Sequence, residues 1–195
     1  MSDVFRRRAA LAACARWLAA LAAAAAIGAS APADATTAVL LTREELVQRS
    51  PIVARVTVGR STSAESDDGA SIVTRTELTV TRPLKGPPTP RLVLEQLGGT
   101  HRGKTQRLLG DATLAEGEDA IVFLRPGKAG RHHLTALSLA VYHVDAKGLA
   151  ARDLRGLTLV RRDGDRLVPT SPSPASHPEP VERLMTDVVR LAGSE

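Results

Sequence analysis

The sequence predicts a mainly-β domain with a short helix ahead of its strands and a longer helix at its C-terminal end. Three observations carry that prediction. Along residues 72–81, Ile72, Thr74, Thr76, Leu78 and Val80 alternate with Val73, Arg75, Glu77, Thr79 and Thr81, the period-two pattern of a strand with one wet face. Ala120-Ile121-Val122-Phe123-Leu124 is an unbroken apolar run behind Gly117-Glu118-Asp119, as a strand buried on both faces would read. Helical spacing sets in only late, at Val181, Leu184, Met185, Val188 and Leu191, with Gly193 closing the element.

Residues 1–35 read as a secretory signal: Arg6, Arg7 and Arg8, then an apolar run, then small residues. The cut is expected after Ala35, because cleavage after Ala31 would leave Pro32 at the new N-terminus. Arg7-Arg8 followed by Ala9-Ala10-Leu11 leaves a twin-arginine route open beside the general one. Leu11-Ala12-Ala13-Cys14 spells a lipoprotein cleavage box, but the apolar segment continues beyond Cys14 to Ile27, so Cys14 is expected to leave with the signal. No later run approaches the roughly 18–20 apolar residues that span a bilayer.

The working domain is expected over 36–168. Thr42-Arg43-Glu44-Glu45 fits a capping box for a helix reaching about Gln48, which Ser50-Pro51 then ends. Strands are expected at 52–58, 72–81, 91–97 and 120–124, with 61–70 an exposed connection and Pro83 breaking the second ladder. Residues 134–144 read as one long or bent strand. Asp145-Ala146-Lys147-Gly148 and Asp163-Gly164 mark two further hairpins. A Ser/Pro-rich connector, 169–180, leads to the helix at 181–193.

Composition narrows the function classes. The 195-residue chain carries a formal charge of +5, but residues 1–35 hold four arginines and two aspartates. The remainder therefore has 22 basic against 19 acidic side chains, too even a balance for long-range steering toward nucleic acid. Beyond residue 35 there is no cysteine, which removes a disulfide framework, a thiolate metal site and a cysteine nucleophile together. Phe123 and Tyr142 are the only aromatic side chains left there, so base or sugar stacking has little to work with.

Gly98-Gly99-Thr100-His101-Arg102-Gly103-Lys104-Thr105 matches the Walker A spelling. A phosphate loop must open a helix, yet Gly110-Asp111 follows within about one turn of Gln106, and no alternation of strands and helices surrounds it. Nucleotide binding is therefore disfavoured. His132 and His133 are adjacent and would point to opposite faces of a strand; with His101 and His143 they give no ligand signature. No Gly-x-Ser-x-Gly elbow is present, and Ser138 near His132, His133 and His143 is proximity along the chain rather than a triad. The acids at Asp67-Asp68, Glu116 to Asp119 and Asp163 to Asp165 suit turns.

Four pieces in order resemble a known family. Ser50-Pro51-Ile52-Val53-Ala54-Arg55-Val56 is similar to the strand that opens netrin-like and tissue-inhibitor-of-metalloproteinase-like domains. Residues 74–80 followed by Pro83-Leu84-Lys85-Gly86 look like their second strand with its Lys-Gly end. Leu92 to Gly99 fits the next strand, and Gly117 to Leu124 resembles the Gly-Glu-led strand after it. The resemblance implies a small Greek-key barrel of the oligonucleotide/oligosaccharide-binding (OB) type with helices packed on it. It places Gly98-Gly99 in a loop leaving the third strand, with Lys104 solvated. Those inhibitors grip a protease's zinc through an N-terminal cysteine. Here Thr36 is the expected first residue, so that mechanism does not carry over.

The reading that results is an exported, periplasmic or secreted, non-enzymatic binding module, with no cofactor, no metal and no nucleic-acid partner, contacting an exported or envelope protein. An inhibitor-like binder of an exported protease is its nearest variant; a P-loop enzyme and a metal-dependent hydrolase are disfavoured alternatives. The candidate contact surface is the loop 98–111, presenting Arg102, Lys104 and Arg107 together, and the 61–70 connection.

Overall fold

The computed structural model describes residues 36–170 and 177–194. The segment read as a secretory signal and the middle of the Ser/Pro-rich connector lie outside the described residues. Strand β1 (Thr36–Val39) leads into helix α1 (Arg43–Arg49). The capping box is formed as expected. Thr42 Oγ1 accepts from Glu45 N–H at 3.2 Å and Glu45 Oε2 accepts from Thr42 N–H at 2.8 Å, an arrangement that contributes about 1 kcal/mol. At the other end Ser50 is fully buried, its N–H on the Val47 carbonyl and its hydroxyl 2.8 Å from that of Thr135.

Three antiparallel strands follow, β2 (Ile52–Glu65), β3 (Ile72–Lys85) and β4 (Arg91–His101). After the short β5 (Lys104–Arg107) come β6 (Asp119–Pro126) and β7 (His132–Leu134). β6 pairs antiparallel with β2 on one side and with β7 on the other, and β7 reaches β4 in parallel through the Leu94–His132 pair. The circuit β2-β3-β4-β7-β6 thus returns to β2. This is a closed five-stranded barrel in the OB-type order, its fourth and fifth strands exchanged in space.

The long strands coil around the barrel by means of register shifts in β2 at Val53/Ala54, Arg55/Val56 and Val58/Ser61, since a bulge bends a strand and sharpens its twist. β6 is the central element, and Ala120, Ile121, Val122, Phe123 and Leu124 are all fully buried, as their unbroken apolar run requires. One continuous core joins them to Val53, Val56 and Leu94 and to the inward stripe of both helices, Leu46 and Val47 from α1 with Val181, Leu184, Met185 and Val188 from the C-terminal helix.

The rest of the chain covers the barrel's flank. β8 (Val141–Val144) adds to β6, β9 (Leu149–Ala151) to β8, and β10 (Leu157–Asp163) forms a hairpin with β11 (Arg166–Pro169). β12 (Glu179–Pro180) pairs with β9 immediately before α2 (Val181–Ala192). β1 pairs in parallel with β10, Thr36 opposite Leu157.

Several boundaries depart from the sequence-based expectation. The first half of the 61–70 connection is strand, because Ser61 pairs with Thr76 and Ser63 with Thr74 and their hydroxyls bond across the ladder at 2.8 and 3.0 Å; the tip at 66–71 turns. Pro83 does not end β3. It sits where β2 alone is the neighbour and a register shift accommodates it, a position that needs no second ladder bond. The single strand expected over 134–144 is broken by a 3-10 turn at Leu137–Ala140, with Leu137 in the left-handed region at φ 47°.

Candidate functional site

The glycine-rich stretch 98–105 is a β-hairpin. β4 continues through it to His101, the chain reverses at Arg102-Gly103, and β5 returns with Thr105 opposite Thr100 and Arg107 opposite Gly98. Both turn residues have positive φ, 48° and 76°, the mark of a type I′ turn whose twist matches its strands. Strand rather than helix follows Lys104, so its backbone N–H groups do not converge on a phosphate. The loop expected to leave the third strand at Gly98 is therefore corrected to four more strand residues and a tight turn. At Gly99, φ is 128° and a methyl group would lie 2.4 Å from both Ser63 Oγ and Thr74 Oγ1; only glycine fits there.

The hairpin and the ends of β2 and β3 form an arm of the sheet that extends past the barrel, and one side of this arm carries a cleft of about 700 Å³. Its floor is the hydroxyl ladder: Ser61 with Thr76, then Thr74, which also donates to the Gly98 carbonyl at 2.8 Å. Gln96 stands beside it and donates from Nε2 to the Ala112 carbonyl at 2.9 Å. The opposite wall is the segment 106–114, pinned by Ser138 N–H on the Gly110 carbonyl and by the Thr36 hydroxyl on the Leu109 carbonyl. Asp153 and Arg155 close one end.

The two surfaces singled out from the sequence thus meet, since Ser61 and Arg107 line the same cleft. The three basic residues do not act together. Arg102 is exposed at the turn, Lys104 and Arg107 are exposed on β5, and being three positions apart on a strand those two project to opposite faces. Arg107 borders the cleft; Arg102 and Lys104 do not. Sequence reading bounded its candidate surface at Asp111 without giving that residue a part, and missed Gln96 and the Thr74 and Thr76 side of the hydroxyl floor. A signal was present, because Ser61-x-Ser63 and Thr74-x-Thr76 repeat hydroxyls at the strand period on two segments that could pair.

The two cleft carboxylates sit in opposite environments. Burial pushes the Asp111 carboxyl up from its ordinary range, against the pull of Gln96 and of the Ala112 N–H that its Oδ1 accepts at 2.9 Å. Asp153 is held down to about 2, chiefly by its hydrogen bonds from the Arg155 guanidinium. The Asp111 shift has a testable sign. Its folded-state value is raised, so the ionised form costs stability above the ordinary carboxylate value of about 4, and the cost vanishes once pH falls below it. Asp111→Asn, which keeps the Oδ1 acceptor and never ionises, should melt higher than wild type at pH 7 and equal to it near pH 3.5. Equal midpoints at pH 7, or a gain that persists at pH 3.5, would contradict this.

On OB-type barrels the face of the second and third strands with the 1–2 and 4–5 loops is the usual binding surface. Here those loops are the 66–71 tip and the 127–131 segment, and they are tied to each other. Arg131 pairs with Asp67 and, at 2.9 Å, with Glu95; Arg75 bonds the same two acids at 2.9 and 2.8 Å. The Arg131 hydrogen bond in particular holds the Asp67 carboxyl below its ordinary range. Two guanidiniums that could meet a phosphate backbone are thereby already engaged.

The histidines are dispersed among separate partners. His133 Nδ1 lies 2.9 Å from the Glu95 carbonyl, and His143 Nδ1 bonds Glu118. Ser138 is buried and its hydroxyl has no hydrogen-bond partner among the described residues. Among the described residues no three His, Cys, Asp or Glu side chains gather as a metal site would need, and no helix is long and apolar enough to cross a membrane. Thr36 is built into a sheet, its N–H on the Gly156 carbonyl at 3.3 Å, which is unlike a free end inserted into a protease. The sequence matches no protein-family model and no curated protein.

Proposed function

We propose that the protein is an exported binding module that captures an extended segment of an envelope or secreted protein along β5, with the adjoining cleft receiving the segment's side chains. The observation that carries this reading is the placement of β5. It is the last strand of its sheet, all four of its residues are exposed, and the hydroxyl-floored cleft lies beside it. An unpaired edge offers main-chain donors and acceptors to a partner strand, and neighbouring pockets then select side chains. The polar floor suits a segment with hydroxyl or amide side chains.

The edge can be tested one donor at a time. In a two-residue hairpin the flanking pair His101 and Lys104 exchange both ladder bonds, so the next residue, Thr105, directs its N–H outward; the 3.0 Å approach of the Thr100 and Thr105 hydroxyls fits a pair of that kind. Thr105→Pro removes the outward donor and leaves the ladder bonds of Lys104 and Gln106. Affinity capture from envelope and culture supernatant, followed by binding of the captured protein to purified material, should show at least a tenfold loss for Thr105→Pro at a nearly unchanged melting midpoint. Undiminished binding by the folded variant would refute edge capture. Inhibition of an exported protease by the same edge would narrow the reading to an inhibitor.

A further inference from the structure

On another part of the surface, six arginines border one cleft of about 810 Å³: Arg43 and Arg49 from α1, Arg152 after β9, Arg161 and Arg162 from β10, and Arg190 from α2. The acids that share it are Glu44, Glu45 and Asp187. Glu45 is engaged in the capping box, and Asp187 accepts from Arg43 at 2.8 Å and from Arg190 at 3.5 Å. Arg43 also pairs with Glu179, yet its buried Nε has no acceptor. Arg49, Arg161 and Arg162 are exposed and have no carboxylate within ion-pair distance among the described residues. The cleft's lining sets six arginines against three carboxylates, with Glu179 outside the lining as a further partner of Arg43.

Exposed guanidiniums gathered at one concave site favour the approach of a counter-charge. A guanidinium presents a planar fork that fits phosphoryl or carboxylate oxygens two at a time. Because these forks arrive from four separate elements, they suit a ligand with anionic oxygens facing several directions. An apolar part of the wall comes from Val39, Leu40 and Leu41, beside Thr42 and with the Arg152 guanidinium 5.1 Å over the Tyr142 ring. The volume falls within the range of small-molecule sites. We infer that this cleft binds a small organic molecule carrying two or more phosphoryl groups, its phosphates held by Arg49 together with whichever of Arg161 and Arg162 the β10 pleat turns into the cleft, and its carbon portion against the Val39–Leu41 wall. The site is independent of the β5 edge and of the 98–105 stretch.

Inorganic pyrophosphate tests the anionic half directly. Calorimetric titration of the full chain at low ionic strength, where screening is weak, should show one saturable site per chain with Kd at or below about 1 mM. Arg161→Gln/Arg162→Gln should weaken it at least tenfold, whereas Arg102→Gln/Lys104→Gln at the β5 hairpin should leave it unchanged; both pairs are exposed, and matched melting midpoints will show that each variant folds. Citrate at the same concentration should bind at least tenfold more weakly, and equal binding would reassign the site to polycarboxylates. Phosphatidylglycerol vesicles separate a lipid source from a free one, and binding to vesicles without binding to pyrophosphate would overturn the small-molecule assignment. No saturable heat with pyrophosphate, or equal loss in both double variants, would overturn the site itself.

Discussion

Phe123→Ala is expected to lower the stability of the domain by roughly 3–5 kcal/mol, the range for deleting a fully buried aromatic ring. Phe123 has no solvent exposure and lies opposite Val53 in β2. Its ring centroid is 6.0 Å from that of Tyr142, at 47°, within the range where two rings attract beyond their buried area. β6 also joins the barrel to its flank, paired with β2, β7 and β8, so a void there loosens both together. For a domain of this size the melting midpoint should fall by roughly 6–20 °C. Urea titration should show a lower midpoint with an unchanged slope. A loss below about 1 kcal/mol would mean that β6 is not the centre of the core.

Gly86→Ala comes second, at roughly 2–4 kcal/mol. Gly86 has φ +90°, and a methyl group there would meet the Pro51 carbonyl oxygen at 2.6 Å and Ile52 Cγ1 at 3.3 Å. The oxygen belongs to the backbone, so it cannot swing aside as a side chain would. The residues before it explain why the chain must turn here: Leu84 is buried in the core, and Lys85 Nζ donates to the Val47 carbonyl at 3.0 Å, satisfying the C-terminal end of α1. Gly69→Ala is the control. Its φ is +69° with nothing within 4 Å, so it bears only the backbone cost, about 1–2 kcal/mol. Equal losses at 69 and 86 in parallel urea melts would show that the close approach to Pro51 does not exist.

Local signals were legible where a residue's role is decided by its near neighbours. Thr42 and Glu45 are three apart and cap one turn; Asp163-Gly164 joins two adjacent strands; residues 120–124 declare burial by having no polar member. Positions decided by distant partners were not legible. β1, with the sequence Thr-Thr-Ala-Val, is a strand because β10 lies beside it, about 120 residues away in the chain. Ser61 to Glu65 looked like a polar loop because the hydroxyls that satisfy it belong to β3. His132 closes the barrel through one pair with Leu94, which no spacing announces.

The same division holds for the sites. Arg107 does border a cleft, but Arg102, Lys104 and Arg107 look like one cluster only because they are close along the chain; a two-residue turn and the strand pleat separate them. The six arginines of the second cleft are spread from position 43 to position 190. They converge through the packing of α1, α2 and β10 around the barrel's flank, and a linear reading has no means of summing them.

The account depends on β4 carrying two neighbours in succession, β7 at Leu94 and then β5 beyond Gly98. Nuclear Overhauser contacts in uniformly labelled protein test this most directly. Backbone contacts between Leu94 and His132 and an Hα–Hα contact between Thr100 and Thr105 are the predicted result. Sequential amide–amide contacts running helically downstream of Thr105, with neither cross-strand contact present, would contradict both the closed barrel and the hairpin.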